Sequence, residues 1–187
     1  MIVALTGMTD NPAASDLAQQ LALLRASAGS KVLLLTQQHG PAQVDLRQPY
    51  DDVVIDTAGN CDSEAVLAAA GVIVVLIQPD ELEMHDHGAL LLRVRHAQEA
   101  NPQAQVLVAV GHAAQALTPH EVGCVLVFVA QIASARLVDT LVLGAGGAYG
   151  TRHSALEMDD FKWENALCAT EVRHLYRQVF QPAFQAH

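Results

Sequence analysis

The first fifteen residues, Met1-Ile-Val-Ala-Leu-Thr-Gly-Met-Thr-Asp-Asn-Pro-Ala-Ala-Ser15, have the order of a buried strand, a tight loop and a helix start. In an open α/β protein such a segment cradles a phosphate on the free backbone N–H groups of the helix's first turn. Holding a nucleotide this way takes glycines, which let the backbone curl around the anion, and a lysine to meet the β- and γ-phosphates. This loop has one glycine, Gly7, an acid, Asp10, a proline, Pro12, and no lysine; the first lysine of the chain is Lys31. The scaffold for phosphate chemistry is present and its positive charge is missing.

Other polar clusters carry less. Glu81, Glu83, His85, Asp86 and His87 crowd one short stretch, but side chains two apart on a helix diverge, so His85 and His87 do not share an ion. Glu81 with His85 is the one feasible pair, and two ligands do not make a structural zinc site. No metal site is expected. Cys61, Cys124 and Cys168 stand far apart in sequence, as buried thiols of a reducing compartment do. No serine, histidine and carboxylate are placed for nucleophilic catalysis. The run Gly144-Ala-Gly-Gly-Ala-Tyr-Gly150 lacks a following lysine and reads as a loop.

The elements that would position these residues follow from short apolar runs alternating with helical patterns, the signature of βα units around a parallel sheet. Strands are predicted at Ile2–Thr6, Val32–Leu35, Val53–Ile55, Val72–Ile77, Gln105–Val110 and Val125–Val129. Helices are predicted from Pro12 to about Ala28, stopped by Gly29, and over Ser63–Ala69. Further helices are predicted from an Asp80 cap to about Asn101, with Leu82, Ala89, Leu92, Val94 and Ala97 inward, and over Asp160–Phe180. Ala133–Leu143 holds a short element of undetermined type. These add up to a single three-layer α/β/α domain over residues 1–187 with a mostly parallel sheet.

Composition agrees. The chain is 51% hydrophobic but only 4% aromatic, so the core must be aliphatic and alanine-rich. No apolar run reaches the roughly 18 residues of a membrane span, and the N-terminus lacks the basic region of a secretory signal. A cytoplasmic location is expected. The formal charge of −10 falls outside residues 1–50, which hold three acids and three bases. An acidic surface repels a phosphate backbone, which argues against nucleic acid as a partner.

The motifs resemble the deviant-Walker-A P-loop ATPases of the ParA/MinD type, which position plasmids, chromosomes and other cargo. The resemblance runs from Met1 to about Val110 and more loosely to the last helix. Laid on the family loop without a gap, the signature lysine falls at Thr9 and the glycines at Asp10, Asn11 and Ala13. The catalytic lysine falls at Ala14 and the magnesium-holding hydroxyl at Ser15. Only Ser15 keeps its family role in kind. Lys31-Val-Leu-Leu-Leu-Thr-Gln-Gln38 resembles the family's second strand, with Thr36 and Gln38 in place of aspartates. Tyr50-Asp-Asp-Val-Val-Ile-Asp-Thr57 resembles the Walker B strand, with Asp56 at the metal-facing position. Val74–Pro79 resembles the strand that ends in Gln-Pro before a long helix. Only about fifteen residues join the second strand to Walker B, so the family's switch segment is missing.

The resemblance implies a shortened P-loop NTPase-like fold of the SIMIBI type and a degenerate member of the family. The expectation is a pseudo-ATPase without cofactor, an accessory or scaffold protein of a bacterial positioning, secretion or envelope-assembly system. Its partner would be a protein, a homodimer is a further expectation, and membrane association would come only through a partner. A nucleotide or small-ligand sensor with a remodelled P-loop pocket is the alternative, and a DNA-associated partition factor the third. Asp56 is expected to bond locally at its strand end. On the last helix, Leu175, Tyr176, Val179 and Phe180 form an apolar face, to be packed on the sheet or used as an interface.

Overall fold

The computed structural model describes residues 1–8, 12–36, 49–57, 63–79, 82, 87–112, 117–138, 141–142 and 166–181. In chain order they form β1 (Ile2–Gly7), α1 (Pro12–Ser27), β2 (Val32–Leu35), β3 (Asp52–Asp56), α2 (Ser63–Ala69) and β4 (Val72–Ile77). There follow α3 (Gly88–Ala100), β5 (Gln105–His112), α4 (Pro119–Ala130), β6 (Arg136–Leu137), β7 (Leu141–Val142) and α5 (Ala166–Phe180). The sheet order is β2-β3-β1-β4-β5-β6, with β7 also on β5. Every pairing is parallel. Among the described residues, no helix is long and apolar enough to cross a membrane.

Central position explains composition. Every residue of β4, Val-Ile-Val-Val-Leu-Ile, is buried, because a parallel strand covered on both faces has no side to show to water. Alternate residues feed two cores. Val3, Leu5, Val54, Val74 and Leu76 pack with Leu17, Leu21, Leu175 and Val179 of α1 and α5. Ala4, Ile73, Val75, Val106 and Val108 pack with Leu67, Leu90, Val94, Val125 and Phe128 of α2, α3 and α4 on the other face. Helices therefore cover both sides, giving three layers. Alanines at 14, 18 and 22 bring α1 close to the sheet. Gly29, at φ +92°, ends that helix in the left-handed conformation that glycine adopts without a Cβ penalty.

Two expectations are corrected. Val125–Val129 is not a strand but part of α4. Five consecutive apolar residues fit either structure, and the decision lies upstream. Thr118 accepts from the Glu121 N–H while Glu121 accepts from the Thr118 N–H, and Pro119 opens the helix. This capping box satisfies N–H groups that the first turn would leave unpaired. Val125 and Phe128 then face the core, whereas Leu126 and Val127 are exposed. The sixth strand is instead Arg136–Leu137, inside the unassigned stretch. On α3, Leu90, Leu91, Val94 and Ala97 are inward, and Ala89 and Leu92, both expected inside, are exposed.

Candidate functional site

β3 places Asp52, Val54 and Asp56 on one face, the face covered by α1, since alternate residues of a strand share a side. Helix α1 runs back along this strand. About 15 Å of helix separates Ser15 from Arg25, and about 13 Å of strand separates Asp52 from Asp56. The lengths match, and both ends are fastened. The Ser15 hydroxyl donates to Asp56 Oδ2, and Arg25 Nε donates to Asp52 Oδ2 at 2.6 Å. Both aspartates are 3% exposed.

The two ends differ in charge. Asp52 is also met by the N-terminal ammonium of Met1 at 3.2 Å, and the Arg25 guanidinium lies 5.2 Å from the Phe180 ring centre. Burial pushes the Asp52 carboxyl up, but the hydrogen bonds and charges of Arg25 and the ammonium outweigh it and hold it below the usual carboxylate range. At the other end, burial raises Asp16, one residue beyond Ser15. Near the loop, Arg93 of α3 donates to the Gly7 carbonyl at 3.3 Å.

Gly7 has a structural duty. A Cβ there would stand 2.9 Å from the Leu76 carbonyl oxygen, across the β1–β4 pairing that matches Gly7 to Leu76. The glycine lets two strand ends approach. Thr57 closes the neighbouring seam, its hydroxyl donating to the Leu5 carbonyl at 2.8 Å.

Of the positions picked out in the sequence, the structure brings Ser15 and Asp56 together. Asp56 accepts from the Ser15 hydroxyl on another element. Ala13 is half-buried, while Ala14, at the catalytic-lysine position, is fully buried in the α1 core. The helix's close seat on the sheet leaves this position no exposed surface. Thr9, Asp10 and Asn11 lie outside the described residues, as do Gln38, Glu81, Glu83, His85, Asp86 and Gly144–Gly150. Leu175, Tyr176 and Val179 are packed inside the chain and Phe180 partly so, which removes them as an exposed docking face. Among the described residues no three His, Cys, Asp or Glu side chains could hold a metal ion.

Sequence reasoning missed Asp52, Arg25 and Arg93. Arg25 offered one signal, being the only basic residue among positions 1–30. The family resemblance implies magnesium and a triphosphate, and the residues present do not fit them. A buried methyl, that of Ala14, stands where an ammonium is needed.

No protein-family model matches the chain, and no curated protein does. Among solved structures, it is similar to cobyrinic acid a,c-diamide synthase from Mycobacterium smegmatis, at a TM-score of 0.59 and 14% identity over 100% of both chains. At that identity the likeness shows the fold, a mostly parallel α/β arrangement of the P-loop NTPase-like kind.

Proposed function

We propose that this chain is a pseudo-ATPase of the ParA/MinD type. It keeps the P-loop scaffold, turns over no nucleotide, and serves as an accessory or scaffold protein in a bacterial positioning, secretion or envelope-assembly system. The observation that carries this reading is the fully buried methyl of Ala14 where the family has its catalytic lysine. Phosphoryl transfer depends on positioning and on positive charge around the transferred group. The Ser15 hydroxyl donates to the Asp56 carboxylate and clamps α1 to β3. Asp10 and Asp16 add carboxylates to a segment that has no lysine. The similarity to a synthase supports the scaffold and carries no reaction over.

A protein partner is the consequence of this reading, since a fold without its switch acts through a constant surface. The test is affinity capture of the intact chain in its native host, with and without ATP and magnesium, alongside a phosphate-release assay. The same partner should be retained in both conditions with no release above background. Capture that requires ATP, or phosphate release abolished by Asp56→Ala, would overturn the proposal.

A further inference from the structure

On the opposite face of the sheet, a cavity of about 410 Å³ opens between the start of α3 and α4, lined by Leu82, His87, Pro119, Gly123, Val127 and Phe128, with His120 and Cys124 also on its wall. That volume lies within the range of small-molecule sites. The cavity sits beyond the carboxyl ends of β4 and β5, whose connections lead into α3 and α4, and open α/β sheets bind ligands outside such ends. It shares no residue with the Ser15–Asp56 region.

Three features make it more than a gap between helices. Gly123 lies in the interior of α4, where glycine is a poor helix former. Neither sterics nor φ requires it, since a Cβ there would meet nothing within 4 Å. Its missing side chain keeps the cavity open. His87 stands edge-on to Phe128, ring centres 5.5 Å apart, and its buried Nδ1 has no hydrogen-bond partner among the described residues. A buried polar atom left so is costly unless something else meets it. Val127, on the wall, is 64% exposed.

We propose that this cavity binds a small aromatic ligand carrying one hydrogen-bonding group. Leu82, Val127 and Phe128 supply the apolar contacts for the ring, and His87 Nδ1 meets the polar group. The Cys124 thiol, 3.9 Å from His120 Nε2, lies on the wall and reports occupancy.

The probe is 2-naphthol, titrated into the full chain carrying Cys61→Ser and Cys168→Ser, with its fluorescence and the alkylation of Cys124 by iodoacetamide as readouts. Saturable binding and slowed alkylation are expected. Gly123→Leu fills the cavity and should weaken binding at least about tenfold without lowering the melting temperature. His87→Phe keeps the ring and removes the acceptor. It should weaken 2-naphthol several-fold and leave naphthalene, which has no hydroxyl, unchanged. Failure of 2-naphthol to saturate, unprotected Cys124, or equal affinity in parent and both variants would overturn the proposal. An ATP titration of the same protein reads the other face separately, so either conclusion can fail alone.

Discussion

Asp52 and Asp56 are the same residue on the same face of one strand, equally buried, and each fastens one end of α1. Asp52 meets two cations, Arg25 and the N-terminal ammonium. Asp56 meets the neutral hydroxyl of Ser15. The first end is a charged lock that a fold uses for stability. The second, where the family resemblance places a magnesium site, is fastened through the neutral Ser15 hydroxyl. Comparing the ends separates what the scaffold needs from what a nucleotide site needs.

The strongest way to break the comparison is to supply the missing cation. Ala14→Lys would put an ammonium at the phosphate end, but Ala14 has no exposed surface. Overpacking and burying a charge there should cost about 3 kcal/mol or more, read as a shift in the urea midpoint. A stable variant with increased phosphate release would show that the site is nearly complete.

Removing the charge at the other end comes next. Asp52→Asn leaves Arg25 and the ammonium facing a neutral amide and should cost about 2 kcal/mol at pH 7. The sign in pH follows from the lowered Asp52 value. Its contribution is complete above the unfolded carboxyl pKa of about 3.9 and is lost as pH falls through the lower folded value. The acid limb of the stability profile should therefore be shallower in the variant. Equal acid limbs would mean that the lock carries no net stability.

Ser15→Ala should cost less, about 1 kcal/mol for one lost hydrogen bond to a buried carboxylate. A loss as large as that of Asp52→Asn would erase the difference between the ends.

How far the sequence reveals this depends on the range of each interaction. The strand Val72–Ile77 was legible because burial on both faces is written in its own run, and Val32–Leu35 and the helix Ser63–Ala69 because Gly29 and Gly71 punctuate the chain beside them. The run Val125–Val129 misled, because its helix is decided by Thr118 and Glu121 rather than by its own residues. Ser15 and Asp56 were legible through motif spacing. The bond from Arg25 to Asp52 spans 27 positions and leaves no periodic trace. Burial of Ala14 depends on how closely α1 meets the sheet, which no local pattern encodes.

A smaller effect sharpens the electrostatics of the phosphate end. Burial raises Asp16, so its carboxylate weakens the fold as pH rises through the folded value, opposite in sign to Asp52. Asp16→Asn should stabilise the protein at neutral pH by at most about 0.5 kcal/mol, solvent screening included. Thermal melts at pH 4 and pH 7 would show it as a gain confined to the higher pH.

The central claim is that the P-loop scaffold of this chain no longer serves a nucleotide. Isothermal titration of the intact protein with ATP in the presence of magnesium tests it most directly. No binding tighter than millimolar is predicted, with the same result for ADP. A micromolar dissociation constant, lost in Ser15→Ala or Asp56→Asn, would contradict the account.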